Sequence, residues 1–288
     1  MRKMLITGGR GMLASDLAKS MQAESGWEIH ALSRSEMDVT DAAQVRRAVE
    51  GIRPDVVVHT AVLHVDAAED DPEKAYLLNA WATRLLARAC DRVGATLVYI
   101  STCGLFGHEQ KGYTEYDPVI LKTVYARSKY EGEVYVNQHC ERHYIVRPGW
   151  LFGGSISHAK NFVVKRYEEA KSKTDVSSAC DKFGTPTYTG DLARGISSLL
   201  ETGEYGVYHV ANGGAASRVE YVRHIIECFG LKTNVSEVES SHFPRKANVP
   251  DCEVLDCLNM RYVGLPGLPD WREAIAAYIG EIRADIGA

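Results

Sequence analysis

Apolar positions in the first half of the chain follow two alternating patterns. Short unbroken runs give way to longer stretches in which apolar residues return every three or four positions. The run "KMLIT" leads into "GGRG" and then "MLASDLAKSMQAE", where Met12, Leu13, Leu17 and Met21 keep helical spacing. This predicts a strand, a glycine turn and a helix. A second strand is predicted at "WEIHALS", from Trp27 to Ser33. The stretch "DAAQVRRAVEGI" predicts a helix with Asp41 as its N-cap. The continuous apolar run of "PDVVVHTA" suits a third strand buried on both faces. "DPEKAYLLNAWATRLLARACDRVG" opens with Asp71 as cap and Pro72 at the first helical position, and closes at Gly94. "ATLVYIST", a helix from Tyr125 to Cys140, and "HYIVRPG" complete the series. Strand and helix in strict alternation predict an α/β fold, a Rossmann-type doubly wound parallel sheet with helices on both faces. Beyond about Arg147 the pattern loosens through "GWLFGGSISHAKN" and "CDKFGTPTYTGD". A smaller mixed region is expected there, with strands such as "YGVYHVAN" and a last helix from Trp271.

Composition narrows the function classes. The 288 residues, 45% apolar and 25% charged, are enough to bury the core of one large domain or two modest ones. A net charge of −5 gives no electrostatic basis for nucleic acid or an anionic membrane as the main partner. The seven cysteines are scattered and form no CxxC pair, which fits reduced thiols and a cytoplasmic location better than a disulfide frame. The apolar stretch in "RKMLITGGRG" is too short for a signal peptide or a membrane span. His139 and His143 in "HCERH" have ligand spacing, but read as a solvated helix end, so no metal is expected.

The glycine turn carries the first chemical suggestion. Gly8, Gly11 and Ala14 fit G-x-x-G-x-x-G/A: one glycine for the tight turn, one for close approach to a pyrophosphate, and a small residue for helix packing. The helix that follows would present its positive N-terminal end to the phosphates. A binder of NAD usually has an acid after the second strand. Here the residues are Ser33 and Arg34, with Arg10 near the same place. Two guanidinium groups favour a 2′-phosphate, and so NADPH, with NADH as the second cofactor. Further along, Tyr125 and Lys129 are one helical turn apart and leave the same helix face. With 15 tyrosines in the chain, such a pair also arises by chance.

Taken in order, the glycine turn, "IST" after the fourth strand and Tyr125/Lys129 resemble the extended short-chain dehydrogenase/reductases. "MDVTD", "RPDVVVHTA", "VDAAEDDPEKAYLLNA", "YARSKYEGE", "RPGWLFG", "NFV", "DKFGTPTYTGDLA" and "YVGLPGLPDWREAIAAYI" narrow the resemblance to the dTDP-4-dehydrorhamnose reductase family over nearly the whole chain. The resemblance implies an NAD(P)-binding domain over residues 1–147, to which a segment at about 185–202 returns, and a mainly substrate-binding domain over 148–288. It implies Thr102, Tyr125 and Lys129 as the catalytic residues. Gly8, Gly11, Met12 and Leu13 would form the pyrophosphate loop, and Asp38 and Val39 would lie beside the adenine. Thr60, Ala61, Val62 and Ser101 would lie along the dinucleotide. His64, Cys103, Trp150 and Asn161 would face the nucleotide-linked sugar.

One departure stands out. Those reductases usually read S-T-D-Y-V-F where this chain has "STCGLF", so Cys103 and Gly104 replace an acid and an aromatic. Fewer polar contacts to the sugar are expected from that loop. The implied reaction gives hydride to a 4-keto-6-deoxy sugar, while Tyr125 gives a proton to the forming alkoxide. Lys129 is expected to lower the Tyr125 pKa, and Thr102 to hold the carbonyl oxygen. A nucleotide-sugar epimerase, another oxidoreductase of this superfamily and a non-catalytic regulatory subunit of the same fold remain as alternatives, and a homodimer is compatible with the resemblance.

Overall fold

The computed structural model describes residues 1–23 and 26–287. β1 (Arg2–Thr7) leads through the glycine turn to α1 (Met12–Ala23), then β2 (Trp27–Leu32), α2 (Ala42–Ile52) and β3 (Val56–His59). α3 (Val65–Asp70) and α4 (Pro72–Tyr76) follow, and a π-helical turn over Leu77–Trp81 runs on into α5 (Ala82–Val93). Next come β4 (Thr96–Ile100), a long loop, α6 (Val124–His139) and β5 (His143–Arg147). Local signals set these boundaries. The Asp41 side chain accepts from the amides of Ala43 and Gln44, and the Asp71 side chain from that of Lys74 with Pro72 next to it. Gly94 closes α5 in the left-handed region at φ 72°. The helix expected to reach Glu24 is seen as far as Ala23, and Glu24 lies outside the described residues.

The second half supplies β6 (Trp150–Phe152), α7 (Phe162–Ser172), β7 (Asp175–Ala179), β8 (Phe183–Gly184), β9 (Pro186–Tyr188), α8 (Thr189–Thr202) and β10 (Gly206–His209). It ends with β11 (Ala216–Ser217), α9 (Arg218–Cys228), β12 (Asn234–Val238), β13 (Cys252–Glu253), α10 (Leu258–Tyr262) and α11 (Trp271–Ile282). The central sheet has the order β10-β5-β4-β3-β1-β2, with every pair parallel. "YGVYHVAN" was expected in the small region. Instead β10 is the sixth strand of this sheet, in register with β5 from Gly206 opposite Tyr144 to His209 opposite Arg147. Short apolar strands look alike whichever sheet they join, so their partner is settled only by tertiary contact.

Side-chain alternation feeds two cores. Leu5, Val57, Leu97, Tyr99 and Ile145 meet α2, α5 and α6 on one face. Met4, Ile6, Val58, Val98 and Val146 meet α1 on the other, together with Leu192, Ile196 and Leu199 of α8. A third core, rich in Phe152, Tyr188, Tyr221, Trp271 and Tyr278, fills the C-terminal lobe. The chain leaves β1 toward β2 on one side, and β3 lies on the other. The crevice at the carboxyl ends of β1 and β3 is therefore a topological switch point, where ligands of such sheets bind.

Candidate active site

The glycine turn sits at that switch point. Gly8 has φ 65°, and a Cβ on it would lie 3.1 Å from the Ala61 backbone; one on Gly9 would come within 2.7 Å of the Ala31 carbonyl. The Gly11 amide donates to the Gly8 carbonyl at 2.8 Å, which closes the turn immediately before α1. The Thr60 hydroxyl donates to the Thr7 carbonyl at 2.7 Å and ties the end of β3 to that of β1. Gly11, Met12, Leu13, Thr60, Val62 and Ser101 line a cleft of about 460 Å³. The first amides of α1 have no carbonyl to bond within the helix, and their end of the dipole is positive. A backbone with no room for side chains before such a helix end fits a pyrophosphate.

A second, open hollow continues from Gly8 past Arg10, Ser33, Arg34 and Asp38. Val39 is not exposed to it but buried in the core under α2. The sequence places no acid directly after β2, yet the chain folds one back. Glu36 Oε2 accepts from the Ser33 amide at 2.8 Å and the Ser33 hydroxyl at 2.6 Å. Those bonds, and more weakly the charge of Arg10, hold the Glu36 carboxyl below its usual range. Asp38 accepts from the Thr40 hydroxyl and amide, and Arg34 Nε stands 3.4 Å from Asp38 Oδ2.

On the other side of the cleft the Thr123 hydroxyl caps α6 by accepting from the Ala126 amide, and Tyr125 lines the cleft beside Thr102. Burial raises the Tyr125 phenol well above its usual range, and a hydrogen bond with Thr102 opposes part of that. Lys129 is 1% exposed. Its Nζ donates to the Ile100 carbonyl at 2.6 Å and lies 4.0 Å from the centre of the Tyr99 ring. Burial outweighs any lowering of the Tyr125 pKa in this structure, and one N–H of the Lys129 ammonium is directed to the Ile100 carbonyl. Desolvation pulls Lys129 itself down to about 7, with the charge of Glu133 opposing. The sign of the linked effect follows. Between about pH 7 and 9 the unfolded chain holds the Lys129 proton more tightly than the folded one, so stability from this group rises with pH. Wild type is expected to gain on Lys129→Met across that window, by at most about 1.4 kcal/mol per pH unit. Urea titrations at pH 7, 8 and 9 check this, and a constant difference contradicts it.

Several residues that hold this site were not singled out in the sequence. Glu133, 2% exposed, accepts from Arg147 Nε at 2.9 Å and Nη2 at 2.6 Å, and from the Ser101 hydroxyl. This buried pair lies one turn beyond Lys129 and fixes Ser101 at the cleft wall. Asn79, in the π-helical turn, accepts from the Leu63 amide at 2.8 Å and donates to the Ser128 hydroxyl at 3.0 Å. It thus joins the loop after β3 to α6, and irregular helical turns of this kind are frequent at functional sites. The polar Asn in "LLNAW" was the available signal.

His64, Cys103 and Trp150 also line the cleft. Loss of water first, then the charges of Lys160 and His158, keeps the His64 imidazole below its usual pKa. Cys103 is buried, and desolvation, followed by the Glu253 charge, pushes its thiol up, so it is not a poised nucleophile. Asn161 is not brought to the cleft wall. It caps α7 through Val164 N, and its Nδ2 donates to the Gly153 carbonyl and the Tyr278 hydroxyl. His143 bonds Cys140 O and Asn137 Oδ1 at the end of α6. Among the described residues no cluster of His, Cys, Asp or Glu could hold a metal ion, and no helix is long and apolar enough to cross a membrane.

Residues 1–284 match the family described as RmlD substrate binding domain. The chain belongs to the RmlD family. Within reach of this family assignment, it is 34% identical to the spore coat polysaccharide biosynthesis protein SpsK of Bacillus subtilis, covering 98% of each chain. It is 35% identical to the dTDP-4-dehydrorhamnose reductase of Mycolicibacterium smegmatis, covering 97% of this chain and 86% of the relative. Among solved RmlD-like structures, the dTDP-4-dehydrorhamnose reductase of Bacillus anthracis in complex with NADP superposes with a TM-score of 0.92 at 33% identity. That match covers 98% of this chain and 100% of the other.

Proposed function

We propose that this chain is an NADPH-dependent reductase of a nucleotide-linked 4-keto-6-deoxy sugar, acting in deoxysugar biosynthesis. The observation that carries the reading is one cleft lined by the glycine turn, by Thr102 and by Tyr125, with Lys129 buried behind them. The relatives' names support the sugar, and the NADP-bound relative supports the cofactor. Residues 1–147 with α8 and β10 form the proposed cofactor lobe, and most of the remainder the substrate lobe.

Gly8, Gly11, Met12 and Leu13 would hold the pyrophosphate, and Arg10 and Arg34 the 2′-phosphate, beside Ser33, whose amide and hydroxyl donate to Glu36. Thr60, Ala61, Val62 and Ser101 would lie along the dinucleotide, and Asp38 and Val39 toward its adenine end. When bound, NADPH supplies the hydride. Thr102 donates a hydrogen bond to the carbonyl oxygen and fixes its place. Tyr125 gives its hydroxyl proton to that oxygen as charge develops. Its raised pKa keeps the proton in place until then, and an alkoxide is basic enough to take it. Lys129 braces the far side of the site through Ile100. His64, Cys103 and Trp150 face the sugar in this proposal, and Asn161 shapes its wall through α7.

A panel of nucleotide-linked keto sugars, scored by loss of NADPH, tests the reading. A sugar epimerised with no net NADPH consumption would favour a nucleotide-sugar epimerase instead. Replacing both Arg10 and Arg34 by alanine is expected to remove a preference for NADPH over NADH, read by cofactor titration. A wild type that binds NADH more tightly contradicts the cofactor assignment. The free cysteines support a reducing, cytoplasmic compartment. The exposed Tyr76, Leu77 and Trp81 give a homodimer an apolar surface, and sedimentation would report its formation.

A further inference from the structure

Directly after Thr102 the loop presents only small or apolar side chains, from Cys103 to Gly107, yet the cleft beside it is not apolar. β13 pairs with β8 and places Glu253 opposite Gly184. From there the Glu253 carboxyl reaches the cleft wall. Its Oε2 accepts from Trp150 Nε1 at 2.6 Å. Its Oε1 lies 3.2 Å from the point where a Cβ on Gly104 would stand, and Thr102 Oγ1 lies 3.3 Å from the same point. A side chain at position 104 would push directly against both oxygens, and glycine leaves them room.

The orientation of this carboxyl is built in. Trp150, its partner, is itself clamped. A Cβ on Gly184 would fall 2.2 Å from the indole ring, so that ring lies against bare backbone. The guanidinium of Arg218 lies over the same ring, 3.4 Å from its centre. One carboxyl oxygen is thus occupied by a rigid donor, and the other faces the cleft beside the hydroxyl assigned to the carbonyl.

We propose that Glu253 is a specificity-determining residue that binds a sugar hydroxyl on the ring carbon next to the one reduced. The inference rests on the reductase reading above. Thr102 Oγ1 and Glu253 Oε1 flank the same point beside Gly104, so a substituent on a ring carbon next to a carbonyl held by Thr102 comes within reach of Glu253 Oε1. A pocket group built to bond a hydroxyl rejects an analogue that lacks it, because the group is then left buried without a partner.

The test compares kcat/KM for a nucleotide-linked 4-keto sugar with that for its 3-deoxy counterpart. Wild type is expected to prefer the hydroxylated sugar by about 10- to 100-fold. In Glu253→Ala the ratio is expected to fall to within about threefold of unity, with NADPH affinity unchanged. If Glu253 only holds Trp150, both sugars suffer equally and the ratio stays as in wild type, which overturns the proposal. A wild type that uses both sugars equally well also overturns it. Where the alanine variant fails to bind NADPH, Glu253→Ser decides by the same ratio. A wild type inactive on every keto sugar refutes the reductase reading itself, whereas an active one with an unchanged variant ratio refutes only the role of Glu253.

Discussion

Replacing Tyr125 by phenylalanine is expected to lower kcat by about 10² to 10⁴, the usual contribution of a positioned general acid, while NADPH affinity stays close to wild type. The change deletes one oxygen. The ring keeps its place at the start of α6, whose cap is Thr123 rather than Tyr125. Thr102 would remain to hold the carbonyl, so a residual rate is expected. Single-turnover kinetics on the true substrate separates this chemical loss from any change in binding. A phenylalanine variant with a wild-type rate would take Tyr125 out of the mechanism.

The largest expected loss of stability comes from Arg147→Met. Glu133 is 2% exposed, and its two strongest partners are the Nε and Nη2 of Arg147. Removing the arginine leaves a carboxylate in the interior with the Ser101 hydroxyl as its remaining donor. Breaking a buried pair from one side costs about 3–5 kcal/mol, whereas replacing both members is often near neutral. Arg147→Met alone should therefore lower the urea midpoint sharply, and adding Glu133→Gln should recover most of the loss. A single variant within about 1 kcal/mol of wild type would mean that water or rearrangement satisfies Glu133.

What was legible in the sequence is what is written locally. The glycine turn, the Asp41 and Asp71 caps and the spacing of Tyr125 from Lys129 each lie within a few residues, so periodicity and turn chemistry suffice to read them. Contacts made across the fold were not legible. Arg147 meets Glu133 only because β5 lies against α6, and Glu253 reaches Trp150 from 103 positions away. Glu36 returns to Ser33 through a turn that the strand pattern does not specify. Asn161 directly before the apolar "FVV" run has the form of an N-cap, and that local signal, rather than the resemblance that turned it toward the sugar, matches its place at the start of α7. The partner of Lys129 was hidden for a related reason. Helical spacing gives the direction of a side chain, but not which acceptor its charge will find, and here that is the Ile100 carbonyl.

The central claim is that this cleft moves hydride from NADPH to a sugar ketone. NADPH deuterated at the transferring position, incubated with the enzyme and a nucleotide-linked 4-keto-6-deoxy sugar, tests it most directly. The account predicts one deuterium on the former carbonyl carbon of the product for each NADPH oxidised, and none with Tyr125→Phe on the same time scale. A sugar converted without deuterium, with the NADPH intact, would contradict it.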